Sequence, residues 1–113
     1  MKKHRYRVTL EHLSDADGEP SSQVPLQFEV GNHDEIIAIV ERLRSRGDFD
    51  ATTAAAFGVG LKLFSEVMLE NRKNPLFASF QPHFVQFMKR LKHPAQEENA
   101  GKAVAAPAEK PQG

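Results

Sequence analysis

Val24-Pro-Leu-Gln-Phe-Glu-Val30 decides how the N-terminal half of this chain folds. Val24, Leu26, Phe28 and Val30 fall on one side of a two-residue repeat, with Gln27 and Glu29 on the other. That is the signature of a strand with one face buried. Working back toward the N-terminus, residues 4–13 repeat the pattern, with Tyr6, Val8 and Leu10 alternating with Arg5, Arg7, Thr9 and Glu11. Between the two runs lies Ser14-Asp-Ala-Asp-Gly-Glu-Pro-Ser-Ser-Gln23, which is all turn chemistry. Two alternating runs and a polar connection predict an antiparallel β-hairpin. Parity puts the even-numbered residues of both strands on one face and lets Arg7 pair with Glu29 across the other.

Working forward, three helical segments are predicted. Asn32 with Glu35 three residues on reads as an N-cap pair, opening a helix over 33–46 that Gly47 closes. A second helix starts at Asp50, with Phe49 placed to staple its first turn. It is apolar nearly all round, so it should be buried by neighbours on several sides. Arg72 and Lys73 close it and Asn74-Pro75 stops it. A short turn near 76–80 and a helix over 82–92, with Pro82 in its first turn, complete the series. The expected fold is α+β, an N-terminal antiparallel β-hairpin packed on three α-helices, spanning residues 1–93 as one domain. Residues 94–113 are rich in Ala, Glu, Lys and Pro, and this composition predicts a disordered tail.

Composition narrows the chemistry. Basic and acidic side chains both number 15, so no net charge draws the chain toward nucleic acid or an anionic surface. With no cysteine, disulfides, thiolate catalysis and sulfur-ligated zinc are excluded. The N-terminus lacks the apolar segment of a secretory signal, and uninterrupted apolar runs are short, so a cytoplasmic location without membrane contact is expected.

Motif fragments fail on spacing. Asp15-Ala-Asp-Gly-Glu19 has its glycine fourth rather than sixth and Leu26 at the twelfth place, so it does not match a calcium loop. Gly58-Val-Gly60 follows no strand and lacks the third glycine of a dinucleotide fingerprint; it reads as small-residue packing within a helix. The histidines His4, His12, His33, His83 and His93 show no metal-ligand spacing, though His12 and His33 would meet if the far end of the hairpin folded over the helix start. Glu66 and Glu70 share a helical face and read as a solvated edge offset by Lys62 and Lys73. No catalytic, cofactor-binding or metal-binding residues are expected.

What remains are surfaces. Arg5, Arg7, Arg42, Arg46, Arg72, Lys73, Lys89 and Arg90 form small basic groups that could make an interaction surface. Through His93, however, 13 basic and 12 acidic side chains leave a net of only +1. The open edges of a two-stranded sheet favour a protein partner or a second copy, joined through the hairpin edge or the aromatic third helix. The leading reading is a non-catalytic protein-interaction module, with a homodimer as one form of it. Its alternatives are a nucleic-acid-binding domain and, third, an enzyme with an unrecognised site.

The runs Pro25-Leu-Gln-Phe-Glu-Val-Gly-Asn-His-Asp-Glu-Ile36, Gly58-Val-Gly-Leu-Lys-Leu-Phe-Ser-Glu-Val-Met-Leu-Glu-Asn-Arg-Lys-Asn-Pro-Leu-Phe77 and Phe87-Met-Lys-Arg-Leu-Lys92 resemble the bacterial domain-of-unknown-function family 3861. The likeness spans residues 4–92 and leaves the tail outside. It implies a bacterial cytoplasmic domain and supplies no catalytic residues to carry over.

Overall fold

The computed structural model describes residues 2–93, so the tail expected over 94–113 lies outside the described residues. Strands β1 (His4–Leu10) and β2 (Leu26–Asn32) form an antiparallel two-stranded sheet, followed by helices α1 (Ile36–Arg46), α2 (Ala51–Glu70), α3 (Pro75–Ala78) and α4 (Gln81–Leu91). The α+β class and the hairpin stand as the sequence predicts. The register pairs Tyr6 with Val30, Val8 with Phe28 and Leu10 with Leu26, so even-numbered residues do share a face. Arg7 lies opposite Glu29, and its guanidinium reaches the carboxylate at 2.9 Å.

The strands sit closer to the helices than the alternation suggests. β1 ends at Leu10, while β2 begins at Leu26 and runs on to Asn32. Asn32 therefore does not cap α1. Its backbone pairs with His4, and its fully buried side chain donates to the Lys62 carbonyl at 2.9 Å and accepts from the Asp34 amide. Glu35 is the N-cap instead, accepting from the Ile37 amide at 3.0 Å, and α1 starts at Ile36 rather than residue 33. At its other end, Gly47 takes φ of 92°, the left-handed stop expected there.

Asp50 caps α2 by accepting from Thr53 N at 2.7 Å. Phe49 reaches past the first turn to Phe57, with ring centroids 5.3 Å apart. One stripe of α2, comprising Ala54, Gly58, Leu61 and Met68, is buried, and its Gly58 meets Val40 and Leu43 of α1. A Cβ at Gly58 would lie 2.9 Å from Val40 Cγ2 and 3.2 Å from Leu43 Cδ1, so the packing reading of that glycine is correct. Gly60 has nothing within 4 Å and takes no part in it.

Seven of the eight phenylalanines form one connected run of edge and tilted contacts along α2, α3 and α4, from Phe49 through Phe57, Phe87, Phe84 and Phe64 to Phe77 and Phe80. Only Phe28 belongs to the sheet. The aromatic cluster is thus on the helical side and does not cover the hairpin. α2 is less enclosed than its composition suggests, since Val59 and Val67 remain 37% and 48% exposed. By length and composition α2 would also suffice to cross a membrane. Its interior charges, Lys62 and Glu66, are paired with Asp34 and Lys3.

Candidate interaction surface

The hairpin is fastened to the helices at its base and stands free at its tip. At the base, Tyr6 projects from the even face. Its hydroxyl donates to Glu35 Oε2 at 3.0 Å and accepts from Ile36 N at 2.8 Å, so it completes the first turn of α1. Lys62 Nζ lies 2.6 Å from Asp34, just after β2, and Lys3 Nζ lies 2.9 Å from Glu66. His33 Nδ1 stands 2.9 Å from the same Glu66 carboxylate. Glu66 is buried, which corrects its reading as a solvated edge. Lys62 and Lys73 do not offset the acidic pair: Lys62 goes to Asp34, and Lys3 serves both Glu66 and Glu70. The reason is topological. The base of the hairpin crosses α2 where Lys62 and Glu66 face it, and a buried carboxylate requires cations at hand.

Burial pushes the Glu66 carboxyl upward, but its contacts with His33 and Lys3 prevail and hold it below the ordinary carboxylate value. His33 is thus an oriented imidazole at the rim of a small cavity of about 250 Å³, which Lys62, Arg72 and Phe84 also line. The nearby Ser65 hydroxyl donates to the Lys62 carbonyl of its own helix and is not directed at the ring. Here the His33–Glu66 pair joins β2 to α2. His12 lies in the exposed loop beyond β1, while His33 meets Glu66. Among the described residues, no three His, Asp or Glu side chains gather in a way that could hold a metal ion. The Asp15 carboxylate accepts from the amides of Asp17 and Glu19, both at 2.9 Å, and so organises its own loop.

The eight basic residues occupy separate places. Arg5 and Arg7 converge on Glu29 on the odd face of the hairpin. Arg42 and Arg46 line a groove of about 580 Å³ between the ends of α1 and α4, floored by Leu43, Leu61 and Met88. The Arg46 guanidinium is taken by Asp48 and by the carbonyls of Leu91 and His93, so it acts as a brace between the two helix ends. Arg72 lies at the small cavity and Lys73 in the turn after α2, while Lys89 and Arg90 sit in the last turn of α4, where the helix dipole favours cations.

The tip of the hairpin shows what sequence alone did not. Its odd face is polar and self-satisfied, with Gln27 donating to Thr9 Oγ1 at 2.9 Å beside the Arg5–Glu29–Arg7 group. Its even face carries Leu10, Leu26 and Phe28, which are 65%, 58% and 39% exposed, and beyond them Leu13 and Val24 lie open as well. The alternation that signals a buried face is present, but the helices cover only its base. A two-stranded sheet is marginal alone, and here the apolar stripe beyond its base is left uncovered by the helices.

No curated protein matches the chain. A crystal structure of a protein of unknown function from Pectobacterium atrosepticum is similar, with 36% identity and a TM-score of 0.71 over 80% of this chain and 98% of that one. Residues 4–93 match the family described as a Domain of Unknown Function with solved structure, DUF3861, and the chain belongs to that family.

Proposed function

We propose that this chain is a non-catalytic protein-interaction module that works as a homodimer, with the free end of its hairpin as the shared surface. The observation that carries the reading is the open apolar stripe of Leu10, Leu26 and Phe28 on a hairpin whose base is locked by Tyr6, Asn32 and the Lys3–Glu66 pair. The buried apolar core is small, comprising Ile36, Val40, Leu43, Ala54, Leu61 and Met68, and a domain of this length gains from further burial against a partner. A second copy is the favoured occupant because the hairpin is basic at its base and acidic at its tip, which makes it complementary to itself. A bacterial, cytoplasmic setting belongs to the same reading, supported by the bacterial source of the similar structure. Phosphate tracking is less well supported, since the basic groups lie apart and several are ion-paired.

Size-exclusion chromatography with light scattering tests the proposal. The wild-type chain is expected at twice the chain mass. A Leu10→Ser variant is expected at the chain mass with unchanged helical circular dichroism. A wild-type chain that stays monomeric at its highest soluble concentration overturns the reading. So does a gel shift with DNA or RNA that weakens steeply with salt, because that is the mark of phosphate binding.

A further inference from the structure

We infer that two copies join through the outer edge of β1, antiparallel, with Val8 of each chain facing Val8 of the other and Arg5 facing Glu11 of the second copy. The inference rests on the homodimer reading and specifies its geometry.

The edge is chosen by exposure. Among the described residues the sheet has two strands, so each leaves one edge without a strand partner. β2 runs into α2, where Asn32 is buried against the Lys62 carbonyl, whereas no residue of β1 is buried. Charge supports the same edge. Lys2, Lys3, Arg5 and Arg7 lie toward the base of β1, while Glu11 follows its end and Asp15, Asp17 and Glu19 occupy the tip loop. Antiparallel pairing sets the basic end of one chain beside the acidic end of the other. Parallel pairing would set like against like. β2 carries Glu29 as its single charge and offers no such match.

Parity and charge then select the register. A two-fold axis at any β1 residue keeps the apolar faces of both hairpins on one side, because paired positions then share parity. Centred on Arg7, the pairing opposes arginine to arginine, which is unfavourable directly across a ladder. Centred on Thr9, it retains only residues 8–10 within the strand. Centred on Val8, residues 6–10 pair within the strand, Tyr6 faces Leu10, and Arg5 comes opposite Glu11. Arg5 is the looser of the two arginines on Glu29, at 3.3 Å against 2.9 Å, and its side chain is 70% exposed. Glu11 is exposed and has no ion-pair partner among the described residues. The result is a four-stranded sheet, β2-β1-β1-β2. Such a sheet reaches the strand number at which sheets with an apolar face become stable, and each exposed Leu10 moves beside a Tyr6 already seated against helix α1 of the other copy.

A charge exchange tests the register by sedimentation velocity at low salt. Arg5→Glu alone opposes two acids at both symmetric contacts, and Glu11→Arg alone opposes two bases. Each is expected to raise the dimer dissociation constant about tenfold or more. Mixed in equal amounts, the two variants form complementary pairs at both contacts, and dimer returns to within about threefold of wild type. Both sites are exposed, so thermal melts are expected to stay near wild type. A wild-type dimer indifferent to the single exchanges, or a mixture that fails to recover, overturns this register while leaving the homodimer standing. A monomeric wild type overturns both.

Discussion

Lys3 Nζ lies 2.9 Å from Glu66 Oε2, tying the residue before β1 to the C-terminal part of α2 through an acid whose side chain is only 10% exposed. His33 approaches the same oxygen at 2.9 Å, so two elements of the hairpin base share one carboxylate. Replacing that carboxylate by an amide removes the charge while keeping the shape. Glu66→Gln is expected to cost about 1–3 kcal/mol in urea unfolding, because Lys3 and His33 both lose the buried charge they contact. A variant as stable as wild type would show that the pair is incidental.

The same residue sets an acid limit. Its carboxyl is held below the ordinary value of 4.5, so the folded state binds its proton less readily than the unfolded chain does. The resulting stability is fully present above that value and is lost as pH falls through the lower, folded one. The Glu35 and Asp50 carboxyls are also held low, chiefly by the helix amides they cap, and act in the same direction. Thermal midpoints are therefore expected to fall below about pH 4.5 in wild type and to fall less steeply in Glu66→Gln. Parallel curves for the two proteins would remove Glu66 from the account.

The two glycines of α2 separate packing from propensity. Gly58→Ala places a methyl 2.9 Å from Val40 Cγ2, a branched and buried side chain that has little room to yield. The strain outweighs the roughly 1 kcal/mol that alanine returns to a helix interior, and a net loss of about 1 kcal/mol is expected. Gly60→Ala meets nothing within 4 Å and is expected to gain about 0.5–1 kcal/mol. Opposite shifts in urea midpoint check both, and shifts of the same sign would contradict the geometry.

Tyr6 couples strand to helix through one oxygen. Its hydroxyl accepts from Ile36 N at 2.8 Å, a buried first-turn amide that α1 itself cannot satisfy. Tyr6→Phe is expected to cost about 1–2 kcal/mol with an unchanged denaturant slope. Burial, the bond to Glu35 and the charges of Glu35 and Asp34 outweigh the Ile36 amide and raise the phenol above its ordinary 10.0. Spectrophotometric titration of this single tyrosine should therefore show an alkaline midpoint, and a midpoint at or below 10.0 would contradict the contact.

These sites show which parts of the fold local pattern could reveal. The even-odd register of β1 and β2 follows from a two-residue period, and Arg7–Glu29 came with it. Asp50 and Gly47 were readable because a helix end needs a cap whatever lies nearby. Asn32 and Glu35 were not separable, since either can cap a helix, and the choice falls to the Lys62 carbonyl, which is distant in sequence. The seam around Glu66 left one legible trace: Lys62 and Glu66 are the only charges between Ala51 and Leu69, four residues apart on an otherwise apolar helix. Two charges in such a setting ask for partners. The open tip of the hairpin was illegible, because alternation shows that a face is apolar and not what covers it.

Arg46 governs the last helix. Its side chain, 10% exposed, bonds Asp48 through Nε at 2.9 Å and donates through Nη1 to the Leu91 carbonyl at 2.8 Å and to that of His93. It thereby caps the C-terminal carbonyls of α4 from the end of α1. Lysine keeps the charge but presents a point donor in place of the planar fork, so it cannot serve the acid and the carbonyls together. In Arg46→Lys, the amides of α4 are expected to exchange faster in hydrogen–deuterium exchange, while those of α1 and the first turns of α2 keep their protection. The aromatic contacts of Phe84 and Phe87 remain, so the helix loosens without leaving. Unchanged exchange across Gln81–Leu91 would mean that those rings alone hold α4 in place.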